Sequence, residues 1–390
     1  MNAKLIEGGL IVTILVVMGS AFAQTWTKNN ALSSNQEWAA VTTSANGIKI
    51  LAAGTVTRPA ISDDSGITWQ RSSNSATITH VAASADGTKL IAAAHSFTVQ
   101  LFVSGDSGSN WVKTGSLASP YWNSVAISAD GTKLFGEITN GLIYVSTDFG
   151  TNWTATGAPT AEWVHMTASA DGLKLAAVAQ NDGIYTSTNM GATWAKSAQS
   201  NKWYSIASAA DGNQLLASGE SGTYLSTNSG SAWTLANTNF GHVASSADGK
   251  KLVIAGPVAI YTSGDSGTTW VSNSAPASSR SKFDYLYYFP NSIASSSDGC
   301  KLYALRVNNQ VWSYQTNPLP DLMAVNLTSN RMFISWLLPS INFVLQQNTD
   351  LSTTNWITLT NTPILNLTNL HQEVSLPAPE TAGFYRLIAQ

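Results

Sequence analysis

The chain has one cysteine, Cys300, in 390 residues. No intramolecular disulfide can form, and packing and hydrogen bonds must hold the fold together. Charge is also scarce, with 19 basic and 22 acidic residues and no cluster of Lys or Arg. This argues against a nucleic-acid partner, since binding to phosphates needs concentrated positive charge. Past the N-terminus no apolar run reaches the roughly 20 residues of a bilayer crossing, so no membrane span is expected in the mature chain. No set of His, Cys and carboxylates shows metal-ligand spacing, and neither a metal nor another cofactor is expected. No catalytic motif stands out either.

What the chain does have is 14 Trp, 29 Gly and a hydrophobic content of 44%, the composition of many short strands joined by tight turns. At the N-terminus Lys4 precedes an apolar run from Leu10 to Met18, broken only by Thr13, and Ala21-Phe22-Ala23 fits the small-x-small cleavage rule. Residues 1–23 therefore read as a signal peptide, with a mature chain from Gln24 that is secreted, periplasmic or on the cell surface. The apolar run is too short to be a spanning anchor.

Two motifs alternate along the chain. The first is an Asp-Gly or Asn-Gly turn between apolar runs, with turn glycines at Gly47, Gly87, Gly131, Gly172, Gly212, Gly249 and Gly299; this is the strongest short hairpin signal. The second is Ser-x-Asp-x-Gly-x-x-Trp at Ser62 to Trp69, Ser104 to Trp111, Ser146 to Trp153 and Ser263 to Trp270. Asn189 and Asn228 replace Asp in the copies ending at Trp194 and Trp233. Asp and Asn both accept hydrogen bonds from turn N–H groups, so the swap preserves the turn. A period of about 40 residues with four strands per repeat predicts an all-β fold, a seven-bladed β-propeller over 24–317. The seventh repeat lacks its tryptophan, while Gln24-Thr25-Trp26-Thr27-Lys28 resembles Ala192 to Lys196; the mature N-terminus is expected to supply the last blade's fourth strand and so remove an exposed edge. Pro318 and Pro320 mark a linker, and the alternating stretches of 318–390 predict a small β-sandwich accessory domain of fibronectin or immunoglobulin type.

The six Ser-x-Asp-x-Gly-x-x-Trp segments resemble the Asp-box, or BNR, repeat of sialidase-like, sortilin-type and photosystem II assembly-factor propellers. The resemblance implies a propeller and, from the sialidase-like branch, invites a glycoside hydrolase reading. Sialidases clamp a carboxylate with three arginines and carry an Arg-Ile-Pro signature. The signature is absent here, and the propeller has only Arg58, Arg71, Arg280 and Arg306. The assembly-factor propellers match better in size, although their arginine-rich surface is not evident.

Candidate site residues come from aligning the repeats. Nine residues before each turn glycine stand Trp38, Ile78, Trp122, Trp163, Trp203, Phe240 and Pro290, either inter-blade packing or a stacking platform at the channel mouth. Tyr285, Tyr287 and Tyr288, in the connection between blades six and seven, would extend such a platform. Seven residues before stand Ala40, His80, Ser124, His165, Ser205, His242 and Ser292; the histidines either converge on a metal or anion, or bond to a Ser or Thr of a neighbouring blade, and the second is preferred because no carboxylate or Cys completes a metal set. Glu137 and Arg306 replace small residues in their columns, and Arg58, His95, Asp182 and Glu220 lie in the loops between second and third strands. The expected ligand site is thus Trp38, Trp122, Trp163, Trp203 and Phe240 with Arg58, His95, Asp182, Glu220 and Arg306, taking an extracellular glycan or protein, without catalysis.

Overall fold

The structure is a computed structural model that describes residues 2–5, 11–16, 26–29, 32, 38–54, 57–73, 78–94, 100–114, 122–197, 200–273, 292–306, 310–316, 324–327, 331–339, 343–349, 355–377 and 383–389. Seven four-stranded antiparallel units follow one another: blade 1 over 38–71, blade 2 over 78–113, blade 3 over 122–155, blade 4 over 161–196, blade 5 over 203–237, blade 6 over 242–273 and blade 7 over 293–315. Among the described residues blades 3 and 4 also pair as strands, Thr139 with Glu162 and Gly141 with Ala161. Among the described residues no helix is long and apolar enough to cross a membrane.

The second strands, such as Ile50–Gly54, Leu90–Ala94 and Leu175–Ala179, are buried at every residue. Each is covered by a neighbouring blade on both faces, so it reads as a continuous apolar run rather than an alternation. Their alanines (Ala52, Ala53, Ala92, Ala93, Ala177) are at most 0% exposed, small enough to let adjacent sheets approach closely.

Seven backbone hydrogen bonds close the ring at the Asp-Gly turns. The N–H of Ala45 donates to the carbonyl of Ala85, Ala85 to Ala129, Ala129 to Ala170, Ala170 to Ala210, Ala210 to Ala247, Ala247 to Ser297, and Ser297 back to Ala45, all at 2.7–2.8 Å. Beside each link, a side chain from one blade lies over the turn glycine of the next. Gly131 has φ 67°, and a Cβ there would stand 2.5 Å from Cδ of Lys89. Glycine is needed at that position both for its left-handed backbone and for room.

The tryptophan turns form a second stitch between blades. In blade 2, Ser104 Oγ donates to Asp106 Oδ1 at 2.8 Å, the N–H groups of Gly108 and Asn110 return to Ser104 Oγ and Asp106 Oδ1, and Trp111 Nε1 donates to both Gly108 O and Ser72 Oγ of blade 1 at 2.9 Å. The carboxylates are thereby consumed by their own turns: Asp148 is lowered to about 2, chiefly by hydrogen bonds from the backbone and side chain of Asn152.

Ring closure is as the sequence predicts. Trp26–Lys28 pairs antiparallel with Gln310–Gln315 as the fourth strand of blade 7, the Trp26 and Tyr314 rings lie 5.2 Å apart, and Asn29 Nδ2 donates to Gly66 O in blade 1. The C-terminal stretch forms two sheets. Arg331–Leu337 pairs with Ala324–Leu327 and His371–Pro377 in one, and Phe343–Asn348 with Gly383–Ala389 in the other. Met332, Ile334, Trp336, Val374, Tyr385 and Leu387 share one core between them. Within the expected leader, Asn2–Leu5 and Ile11–Val16 pair antiparallel, and Ile11–Val16 runs parallel to Gly383–Ala389. The C-terminal module touches the seventh turn through Ser297 Oγ, which donates to Leu338 O at 2.6 Å, and Cys300 in that turn is fully buried. Burial raises its thiol's pKa, and Lys251 Nζ lies 3.0 Å from its Sγ.

If the N-terminal strand closes the ring, deleting residues 24–30 removes the Trp26 packing and exposes the edge of blade 7, a loss of several kcal/mol. Differential scanning calorimetry should then show a melting temperature lower by about 10 °C or more. An unchanged melt would mean that the strand does not support the ring.

Candidate functional site

The entry tryptophans are not a platform. Trp38, Trp122, Trp163 and Trp203 are 0–4% exposed and pack in the clusters between consecutive blades, Trp163 for instance with Phe135 and Ile143 of blade 3. Their faces are covered, which corrects the stacking expectation for the channel mouth; an indole in this position yields more by burial than by exposure. Phe240 is half-buried, its ring 5.6 Å from that of Tyr204. Pro290, Tyr285, Tyr287, Tyr288 and His95 lie outside the described residues, as does the side chain of Arg306.

The Ser and His column makes one repeated bond to the next blade. Ser124 Oγ accepts the N–H of Met166, Ser205 Oγ that of Val243 and Ser292 Oγ that of Val41, at 3.1–3.2 Å. His165 Nδ1 lies 3.3 Å from the backbone nitrogen and 3.2 Å from the carbonyl oxygen of Ile206, accepting from the one or donating to the other according to its tautomer. The rings of His165 and His242 meet edge to face at 6.4 Å. Burial lowers His165 to about 4, and burial plus the neighbouring His165 lowers His242 to about 3. Both are therefore neutral at pH 7. His80 has Nδ1 3.4 Å from Thr79 Oγ1.

Glu137 is fully buried, and neither carboxyl oxygen has a hydrogen-bond partner. It pairs in register with Ser124 and Ile143 and shares the face of Phe135, so it points towards blade 4. Desolvation holds its pKa well above the ordinary carboxylate range.

Three of the expected site residues do come together elsewhere, at a groove of about 650 Å³ between blades 4 and 5, lined by Lys196, Ser197, Ser200, Asn201, Trp203, Ser221, Tyr224 and Trp233. Trp203 reaches it only with the 3% of its surface left exposed. Asp182 stands beside it, ion-paired with Lys196 and accepting Tyr185 Oη at 2.8 Å, and its carboxyl is lowered by those bonds, Lys196 first. Glu220 is exposed next to Ser221, and its N–H donates to Lys202 O at 2.9 Å. Ser221 Oγ and Tyr224 Oη are 3.1 Å apart. The Asp182 carbonyl accepts the N–H of Asn201, whereas the corresponding carbonyl in blade 3, Gly141 O, accepts Trp163 Nε1. That substitution leaves Trp203 Nε1 without a partner, and Asn201 Nδ2 has none either.

Sequence reasoning missed Lys196, Ser197, Asn201, Ser221, Tyr224 and Trp233 as a group. The only local signal is the run of small polar residues between Lys196 and Lys202. Arg58 is on another blade and exposed; its carbonyl accepts Arg71 Nη1 at 3.0 Å, while the Arg71 guanidinium lies 5.3 Å from the centroid of the Trp38 ring.

No family model matches the sequence, and no curated protein does. Solved structures resemble it in fold. YCF48 from Cyanidioschyzon merolae is 16% identical over 75% of this chain and 99% of its own, with a TM-score of 0.58. A structure of YCF48 bound to D1 peptide is 16% identical over 78% of this chain and 100% of its own, at 0.56. The GH74 enzyme of Niastella koreensis is 18% identical over 72% of this chain, at 0.55, and this chain spans only 44% of its length. The likeness is one of fold: the chain is a β-propeller of the architecture shared by these proteins.

Because folding raises the proton affinity of Glu137, its burial costs little in acid and progressively more as pH rises from the ordinary carboxylate range towards the raised folded value. Glu137→Val, which copies Val178 of blade 4, should stabilise the chain at pH 8 by about 1–3 kcal/mol, the cost of an unsatisfied buried polar group, and by less at pH 4.5. Denaturant unfolding at the two pH values measures it; a variant less stable than the parent at pH 8 would show that the carboxyl has a partner.

Proposed function

We propose that this chain is an exported, non-catalytic recognition module that takes an extracellular glycan or protein ligand in the groove between blades 4 and 5. The groove itself carries this reading. It has the size of a ligand site and an aromatic wall with a few polar groups at its margin, and it sits on rigid strands. This moves the expected site from the channel mouth to the interface of two blades.

Several observations argue for binding over hydrolysis. A glycosidase needs two carboxyl groups flanking the scissile bond, and none of the described lining residues is Asp or Glu. Asp182 beside the groove is already engaged by Lys196 and Tyr185. The leader-like residues 1–23 support export, with removal before Gln24. The C-terminal module, in contact with blade 7, would serve as spacer or attachment.

Ser221 is exposed at the groove, so Ser221→Trp should fill it without touching the ring. On a glycan array and in capture of extracellular proteins, the purified chain should retain ligand that the variant loses by about tenfold or more, equivalent to 1.4 kcal/mol, with the same melting temperature. Ligand unaffected by Ser221→Trp would place recognition elsewhere, and turnover of a sialoside or glucan substrate would make the protein an enzyme.

A further inference from the structure

We infer that the exported chain carries a second docking site, the edge of the strand Gly383–Ala389 in the C-terminal module, which takes an extended apolar segment of a partner protein as an added parallel strand. The inference rests on the removal of residues 1–23 proposed above and gives the module's attachment role a mechanism. It does not involve the groove between blades 4 and 5.

The uncut chain shows the edge in use. Ile11–Val16 lies parallel to Gly383–Ala389, with five successive pairs from Val12 with Gly383 to Val16 with Leu387, and Asn2–Leu5 pairs antiparallel outside it. The sheet therefore runs from Asn2–Leu5 through Ile11–Val16, Gly383–Ala389 and Phe343–Asn348 to Ile357–Thr358. At the leader end its outermost strand is four residues long and holds Lys4, a short, charged edge of the kind that resists further pairing. Cutting before Gln24 removes both leader strands. What is then outermost is Gly383–Ala389, seven residues long and held to Phe343–Asn348 by six successive pairs with no bulge.

No other outer edge among the described residues matches it. The outer strands of the blades are two to four residues long, and Lys28, Arg71, Lys113 and Lys196 stand in four of them. In the module, Ile357–Thr358, Ile364–Asn366 and Ala324–Leu327 have two, three and four residues. Gly383–Ala389 contains neither proline nor lysine. Its single charge, Arg386, is engaged: Nε donates to Gln346 Oε1 at 2.8 Å, and the guanidinium lies 4.3 Å from the centroid of the Trp356 ring. A long row of unpaired N–H and C=O groups without such protection is a template for a further strand.

The register also states what fits. Tyr385 and Leu387 belong to the module's core, and positions paired in register share one face of a sheet. The leader sets Ile14 and Val16 level with them. A partner segment therefore needs apolar residues at those alternate positions, to extend the core, and no proline to interrupt the ladder. Phe384 and Ile388, half-buried on the opposite face, favour an uncharged segment there too.

The test uses a synthetic peptide with the sequence of residues 10–17, flanked by lysines for solubility. The mature chain, 24–390, should bind it saturably, and the amides of 383–389 should gain protection from hydrogen exchange. Two further peptides are N-methylated at alternate residues, one in each phase. A strand turns alternate N–H groups towards its neighbour, so one phase should keep its affinity and the other lose about tenfold or more, the loss of several main-chain hydrogen bonds. The uncut chain, 1–390, has the edge occupied and should bind the parent peptide more weakly by a similar factor. Equal binding of all three peptides, protection elsewhere in the chain, or equal binding by cut and uncut chains would overturn the inference. Protection of 383–389 that rises with protein concentration in the absence of peptide would make a second copy the occupant, and would overturn it as well. Mass spectrometry showing that the exported chain keeps residues 1–23 would remove its basis. None of these results bears on the groove, whose reading stands or falls with Ser221→Trp.

Discussion

The structure depends on one repeated link: a backbone N–H in each Asp-Gly turn donating to the same turn of the next blade, seven times, until Ser297 returns to Ala45. A linear stack of sheets would leave two open edges and two unpaired turns. The closed circuit leaves neither, and it requires the seventh blade to be completed by Trp26–Lys28, far away in sequence. With no disulfide available, this cyclic pairing and the dry packing of second strands between blades replace covalent cross-links.

The circuit also determines which residues are free to act. A side chain that recurs from blade to blade is spent on holding blades together: Trp, in the entry column of four blades, fills the interface, Ser in the next column caps a neighbouring N–H, and Asp in the tryptophan turn satisfies its own backbone. Departures from the repeat carry different information. Glu137 places an unpaired acid among apolar residues, Cys300 is buried in the turn that Ser297 ties to Leu338 of the C-terminal module, and Ala236 bulges the fourth strand of blade 5. The functional reading rests on the groove between blades 4 and 5.

Much of the fold is legible in the sequence because its determinants are local. Asp-Gly with flanking apolar runs specifies a hairpin whatever surrounds it, and a stray strand at Trp26 resembling Ala192 to Lys196 identifies the closing strand by its chemistry. The histidine column was legible only in part: a hydrogen-bonding task was expected, but His165 meets the backbone of Ile206 and not a Ser or Thr of the next blade. The site was not. Whether Trp203 is packed or presented depends on the blade beside it, and the groove gathers residues of two blades whose approach the sequence does not show. Glu137 reads in the sequence only as a charge in a column of small residues, because sequence shows position along a strand but not the sheet packed against it.

The most direct test of the account is native-state hydrogen exchange at the amides of Ala45, Ala85, Ala129, Ala170, Ala210, Ala247 and Ser297. If the ring is one closed circuit, no link can open without the whole, and all seven amides should exchange slowly and with a common free energy equal to that of global unfolding. A set of links, in blades 4 and 5 or in blade 7, that exchanges well below the global value while the rest stay protected would contradict the account, and would show a row of blades in place of a ring.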